Sequence, residues 1–281
     1  MMDRVVIGVD GSAGSTAAAE WIANRLGDRP TRIDLVSVHS WASHVMADRA
    51  VQTDLEHMER MLSAWSDAYS VSTHCASGRT VNVLTELARG ADLLVIGVNP
   101  QRPLTAALRG WLPVRVCAAS SVPVCVIPVG WGPSDDPITV GVDSDESSSA
   151  AVRWAVREAE TTTRRLRLLH AWRLPEPYDA GAVALLVRPA EVIAEHRTVL
   201  EAVRHGVAKE HPRVRIETYL ARATAPAALL SYAPSSSLIV LGSHRLGILR
   251  GGLLGATAAD LFWRARCPIA VIPPDASISD S

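Results

Sequence analysis

The sequence is poor in the residues that most directly declare a chemistry. Aromatic residues make up 5% of its 281 positions, with one phenylalanine, a thin supply for the stacking platforms that hold single-stranded nucleic acid. Four cysteines, at 75, 117, 125 and 267, are too few and too scattered for a disulfide framework and fit a reducing compartment. No apolar run approaches the roughly 18 residues of a membrane span. Asp3 and Arg4 stand where a secretory signal would place its apolar core, so a cytoplasmic protein is expected. An excess of one charge is also missing. Lys plus Arg number 28 against 29 Asp plus Glu, a net charge of -1, and nothing in that balance selects nucleic acid or a membrane surface. The arginines at 164, 165 and 167 read as the charged rim of a strand. No HExxH, Walker loop, Rossmann fingerprint, CxxC or G-x-S-x-G elbow occurs, so metalloprotease, dithiol and serine-hydrolase chemistry have no foothold.

What is present is an internal repeat. RVVIGVDGSAGS at 4–15 returns as PITVGVDSDESS at 137–148, aligning Asp10 with Asp143, and LVSVHSW at 35–41 returns as LRLLHAW at 166–172, aligning His39 with His170. ADLLVIG at 91–97 matches SSLIVLG at 236–242, and VPVCVIP at 122–128 matches CPIAVIP at 267–273. Two divergent copies of one domain account for the length.

Within each copy, short β-branched runs alternate with amphipathic stretches, the pattern of βα units and a parallel sheet. The expected architecture is α/β: two tandem, open, mostly parallel five-stranded α/β/α sandwiches, over 1–130 and 137–275. The Gly, Pro and Asp-rich stretch 129–137 reads as the linker. Ser15 is expected to cap the first helix, and Ser147 or Ser148 its counterpart. Strands are expected near 69–74 and 213–220, with helices near 105–119 and 252–265 before the fifth strands. VPVCVIPV and CPIAVIP would leave apolar edges exposed if unpaired.

Ligands of open parallel sheets bind beyond the carboxyl ends of the strands, where Asp10, Asp143, His39, His170, Gly97 and Gly242 fall. Each aspartate could bind a ligand or close its own turn and cap the next helix. The histidines read as structural partners. GSHRLGILRGGLLGAT at 242–257 offers a flexible backbone and free amides to phosphate, with Arg245 or Arg250 adding charge. Its counterpart at 97–111 carries Pro100 and Pro103, each of which removes an amide donor.

On these residues the chain resembles the tandem-domain universal stress proteins of actinobacteria. Nucleotide-binding members carry Gly-x-x-Gly, nine residues, then Gly-Ser/Thr. Gly242 and Gly255 occupy the outer glycine positions in copy two, where Arg245 and Ala256 replace the middle glycine and the hydroxyl residue. In copy one Gly97 and Gly110 match, and Pro100 and Trp111 do not. The resemblance implies a stress-associated regulatory binding protein with no assigned catalytic residue, sensing ATP through its second domain, with Mg²⁺ only alongside ATP. The implied ligand set is Asp143 near the adenosine, backbone of Val142 and Ala171 near the base, and Gly242, Ser243, Arg245 and Gly255 around the phosphates. Val9 and Ser40 are the weaker counterparts of Val142 and Ala171. It also implies an intramolecular domain pair joined through antiparallel fifth strands, and leaves open a homodimer or a regulatory protein partner. No specific nucleic-acid or membrane partner follows. A nucleotide-independent scaffold and a slow ATPase are the alternatives.

Overall fold

The computed structural model describes residues 2–39, 45–100, 112–143, 145–173, 189–243 and 256–276. The first domain comprises β1 (Asp3–Val9), α1 (Ala13–Leu26), β2 (Thr31–His39), α2 (Val45–Trp65), β3 (Tyr69–Ser77), α3 (Thr80–Leu87), β4 (Leu93–Val98), α4 (Leu112–Ala119) and β5 (Val124–Pro128). The second repeats the order with β6 (Ile138–Gly141), α5 (Glu146–Thr162), β7 (Leu166–Trp172), α6 (Pro189–Glu210), β8 (Ile216–Arg222), α7 (Ala225–Tyr232), β9 (Leu238–Gly242), α8 (Ala256–Arg264) and β10 (Ile269–Ile272).

All described strands join one ten-stranded sheet in the order β3-β2-β1-β4-β5-β10-β9-β6-β7-β8. Pairing is parallel inside each domain and antiparallel at the junction, where Val126 faces Ile269, Cys125 faces Ala270 and Val124 faces Val271. The fifth strands thus cover each other's apolar edges, as expected of VPVCVIPV and CPIAVIP. Every residue of β5 and β10 is buried, because helices cover both faces of a parallel sheet and its central strands can be continuously apolar.

The helices divide into two layers. One core includes Ala18 and Ile22 of α1, Leu55 and Leu62 of α2, and Val152, Ala155, Val156 and Ala159 of α5. The other includes Leu84 of α3, Val116 of α4, Leu229 of α7 and Phe262 of α8. Burying each large aliphatic or aromatic side chain contributes about 1.5–3 kcal/mol. Among the described residues no helix is long and apolar enough to cross a membrane.

The caps differ from expectation. Ser12, not Ser15, caps α1: its Oγ accepts from the Ser15 amide at 3.4 Å, and Ser15 Oγ donates back to the Ser12 carbonyl at 2.9 Å. Asp145, rather than Ser147 or Ser148, caps α5, accepting from the Ser148 amide at 2.8 Å. Two boundaries also move. β3 runs on to Ser77, which puts His74 and Cys75 inside the strand, and β8 begins at Ile216, which leaves Arg213 and Arg215 outside it.

The linker is anchored to both domains. Trp131 Nε1 donates to the Ala17 carbonyl at 3.0 Å, and Arg164 Nε donates to the Ser134 carbonyl at 3.1 Å. Nearby, Arg25 of α1 grips Glu158 of α5 with two hydrogen bonds, of 2.8 and 2.6 Å, between largely buried side chains. Burial alone would lower the Arg25 pKa; the adjacent Glu158 carboxylate outweighs it and holds the guanidinium above its ordinary value.

Candidate functional site

In each domain the chain reverses direction across the sheet between its first and fourth strands, β1/β4 and β6/β9, which leaves a crevice at their carboxyl ends. The first crevice is a cleft of about 820 Å³ whose lining includes Val9, Asp10, Val38, Leu84, Arg79 and Arg115. Gly8 also lines it, where a Cβ would come within 3.2 Å of Ile96 Cγ2. Asp10 does not cap α1. Its Oδ1 accepts from the Ser12 amide at 3.1 Å and closes the turn that delivers Ser12 to the cap. Gly11 sits at φ 70°, and a Cβ on it would fall 2.1 Å from Asp54 Oδ2. The positive φ favours glycine there, and a side chain would also have to turn the Asp54 carboxylate aside.

The second crevice is smaller, about 160 Å³. Four residues of the expected ligand set, Val142, Asp143, Ala171 and Gly242, come together in its wall. Ser243 is buried and does not line it; its amide donates to the Ile272 carbonyl at 2.8 Å and is spent on β10. Arg245 and Gly255 lie outside the described residues, as do Ser40, Gly110, Trp111 and Arg250. Asp143 donates its own amide to Ser148 Oγ at 2.8 Å, while Asp145 does the capping.

Sequence reasoning missed several lining groups. Thr257 stands one position beyond Ala256 and brings a hydroxyl to the second cleft. Arg79, at the end of the β3–α3 turn, and Arg115, on α4, bring two exposed guanidinium groups to the first. They are 36 positions apart in the chain, and no local motif links them.

Residues 1–128 and 136–273 each match the model of the Universal stress protein family. The chain belongs to that family. It is 26% identical over 289 residues to a universal stress protein of Mycolicibacterium smegmatis, covering 96% of this chain and 97% of the relative. A universal stress protein of Mycobacterium tuberculosis is 25% identical over 311 residues, covering 98% and 96%. A universal stress protein structure from Archaeoglobus fulgidus superposes with a TM-score of 0.70 over 96% of both chains at 15% identity, and a putative one from Pseudomonas aeruginosa with 0.64 over 98% and 94% at 18%. These likenesses to solved structures concern the fold alone. The two relatives are tandem in extent, and the broad role of the family, regulation in the stress response, is the coarse function of this chain.

In this universal stress protein the strand-end histidine of copy two is a structural partner. His170 is buried, with Nδ1 2.7 Å from the Val142 carbonyl and Nε2 2.8 Å from His196 Nδ1. A carbonyl can only accept, so Nδ1 carries the proton; in the neutral pair Nε2 then accepts from His196. The Val142 carbonyl that would face a base therefore already serves His170, and the Val142 amide donates to the Leu169 carbonyl at 2.9 Å. Among the described residues no three His, Cys, Asp or Glu side chains converge on a potential metal site. Burial pushes the Cys267 thiol up to about 12 and those of Cys117 and Cys125 higher still, whereas Cys75 is exposed.

Proposed function

We propose that this universal stress protein regulates through ligand occupancy, binding an adenine nucleotide such as ATP at a strand-end cleft. The observation that carries this reading is the composition of the first cleft. Apolar walls from Val9, Val38 and Leu84 suit a base, Asp10 suits ribose hydroxyls, and Arg79 and Arg115 suit phosphates. Its volume of about 820 Å³ falls within the roughly 300–1,000 Å³ of small-molecule sites. The second cleft holds Asp143, Val142, Ala171 and Gly242 in about 160 Å³. Glycine spacing favours the second domain; room and described positive charge favour the first. Mg²⁺ would arrive on the nucleotide phosphates. No catalytic step is assigned to any residue. Regulation requires that the ligand bind two conformations, or the free and partner-bound forms, with different affinity.

The test is calorimetric titration of nucleotide-stripped protein with ATP and Mg²⁺, beside Arg79→Ala/Arg115→Ala and Asp143→Ala. Loss of two charge-assisted phosphate contacts should weaken binding at the first cleft by about tenfold or more. Loss confined to Asp143→Ala would move the site to the second domain. No heat up to about millimolar ATP would sink the nucleotide reading, and phosphate release from a saturated sample would reopen turnover. One set of observations favours a nucleotide-independent scaffold: Asp10, Val142 and Ser243 already have structural hydrogen bonds.

A further inference from the structure

At the opposite end of the second domain from its strand-end cleft, the turns before β7 and β8 enclose a groove of about 670 Å³. Four arginines line it: Arg164 and Arg165 after α5, and Arg213 and Arg215 before β8. Asp135 and Glu160 are the only carboxylates among the described lining residues. Arg165 is paired with Glu217, and Arg164 is tied to the linker carbonyl of Ser134. Glu160 accepts from His211 at 2.9 Å. Among the described residues the exposed guanidinium groups of Arg213 and Arg215 have no hydrogen-bond or ion-pair partner. Two unspent planar forks therefore face a concave surface.

Two further observations separate this groove from an ordinary charged rim. Thr163, in its wall, caps α5 at φ 55° and ψ 31°, a left-handed conformation that β-branched residues avoid and that clusters at functional sites. The equivalent cap in the first domain is a glycine, Gly27, in a different turn at φ 57° and ψ -129°, so the left-handed threonine is not shared by the two copies. The charge differs as well. The matching turns of the first domain carry Asp28, Arg29 and Asp67; Ser66 Oγ donates to Asp28 at 3.0 Å, and Arg29 turns back onto the carbonyls of Leu26 and Arg25. Paired arginines at this end of the sheet are thus particular to the second copy and not demanded by the architecture.

We propose that this groove binds a small polyanion carrying two or more phosphate groups, separately from both strand-end clefts. Guanidinium forks match phosphate oxygens two at a time, and Thr163, which also lines the groove, offers a hydroxyl as a neutral donor, whereas that of Thr162 is spent on the Glu158 carbonyl at 2.6 Å. The size suits a metabolite-scale ligand. No aromatic side chain is among the described lining residues, which disfavours the base stacking that single-stranded nucleic acid uses.

The probe is inorganic tripolyphosphate, titrated into the full chain at about 0.15 M salt, where weak surface attraction is largely screened. Expected is one saturable site that persists in Arg79→Ala/Arg115→Ala and weakens by about tenfold or more in Arg213→Ala/Arg215→Ala, with the melting temperature of the latter unchanged. Arg213→Lys/Arg215→Lys should bind less well than wild type, because an ammonium keeps the charge and loses the fork. Full retention in the lysine pair reduces the groove to diffuse charge and overturns the proposal. So does unchanged affinity in the alanine pair, absence of saturation, or groove-dependent binding of an acidic peptide or RNA oligomer without binding of tripolyphosphate. Because the first-cleft variant is carried in parallel, failure of the groove and failure of the nucleotide site give different patterns.

Discussion

Gly97 at the end of β4 lies against the backbone of Gly14 in the first turn of α1, so closely that a Cβ on Gly97 would stand 1.9 Å from the Gly14 carbonyl oxygen. That atom belongs to a helix backbone and cannot swing aside. Gly97 is therefore demanded by helix-on-sheet contact, whether or not a phosphate ever approaches. Gly97→Ala should destabilise the first domain by about 2–3 kcal/mol through forced backbone displacement, seen as a lowered urea midpoint. An unchanged midpoint would mean that the contact relaxes freely.

The Gly97–Gly14 contact also marks what could be read in the sequence. The repeat, the continuous apolar strands and the Asp-terminated first strands made the two sandwiches legible, and the exposed apolar edges made the β5–β10 junction legible. Cap identity was not, because Ser12 and Ser15 both offer a hydroxyl and only backbone geometry selects between them. RVRIETYL, at 213–220, alternates like a strand from its first residue, yet the ladder begins at Ile216 and frees two arginines. The glycine signature pointed to both clefts, while Arg79 and Arg115 come from separate elements that only the sheet order brings together.

The Arg25–Glu158 pair bridges the domains in a largely dry setting. Arg25→Met would leave the Glu158 carboxylate buried without its partner, at a cost of about 3–5 kcal/mol. Arg25→Met combined with Glu158→Leu should recover most of that loss, since the paired charges themselves offset little more than their own desolvation. Denaturant unfolding of both variants and the wild type distinguishes the outcomes; a double variant as unstable as the single one would contradict this account.

Asp34 supplies a pH-dependent contribution to stability. Its burial would raise its pKa, but hydrogen bonds from Arg4 at 2.8 Å and Arg32 at 3.1 Å outweigh that and hold it below the ordinary carboxylate value. A depressed folded pKa stabilises the native state above the unfolded pKa of about 3.9, and that contribution is lost as pH falls through the folded value. Asp34→Asn should lower the melting temperature at neutral pH, and its gap from wild type should narrow below about pH 4. A gap constant from neutral to acid pH would show that the charge is not what matters.

The thiols should sort by burial. Cys117, Cys125 and Cys267 are buried with raised pKa values, and Cys75 is exposed. A water-soluble disulfide reagent at neutral pH should consume one thiol quickly in native protein and all four after unfolding. Rapid reaction of a second thiol in the native state would reveal opening of one of the two cores.

Thr163 and Gly27 cap equivalent helices at nearly the same positive φ, 55° and 57°, but at ψ 31° and -129°, so the two positions carry different strains, that of Thr163 lying in the left-handed region. A non-glycine residue in that region costs about 1–2 kcal/mol, part of which is returned because glycine loses more freedom on folding. Thr163→Gly should therefore stabilise the protein by about 0.5–1 kcal/mol. Gly27→Thr should destabilise it by more, about 1–3 kcal/mol, because φ 57° with ψ -129° is a conformation that residues with a Cβ avoid, and through conformation alone, since a Cβ at Gly27 meets nothing within 4 Å. Opposite shifts in the urea midpoints, the larger for Gly27→Thr, would establish both strains. Destabilisation by Thr163→Gly would instead show that the threonine side chain contributes more to its turn than its backbone conformation costs.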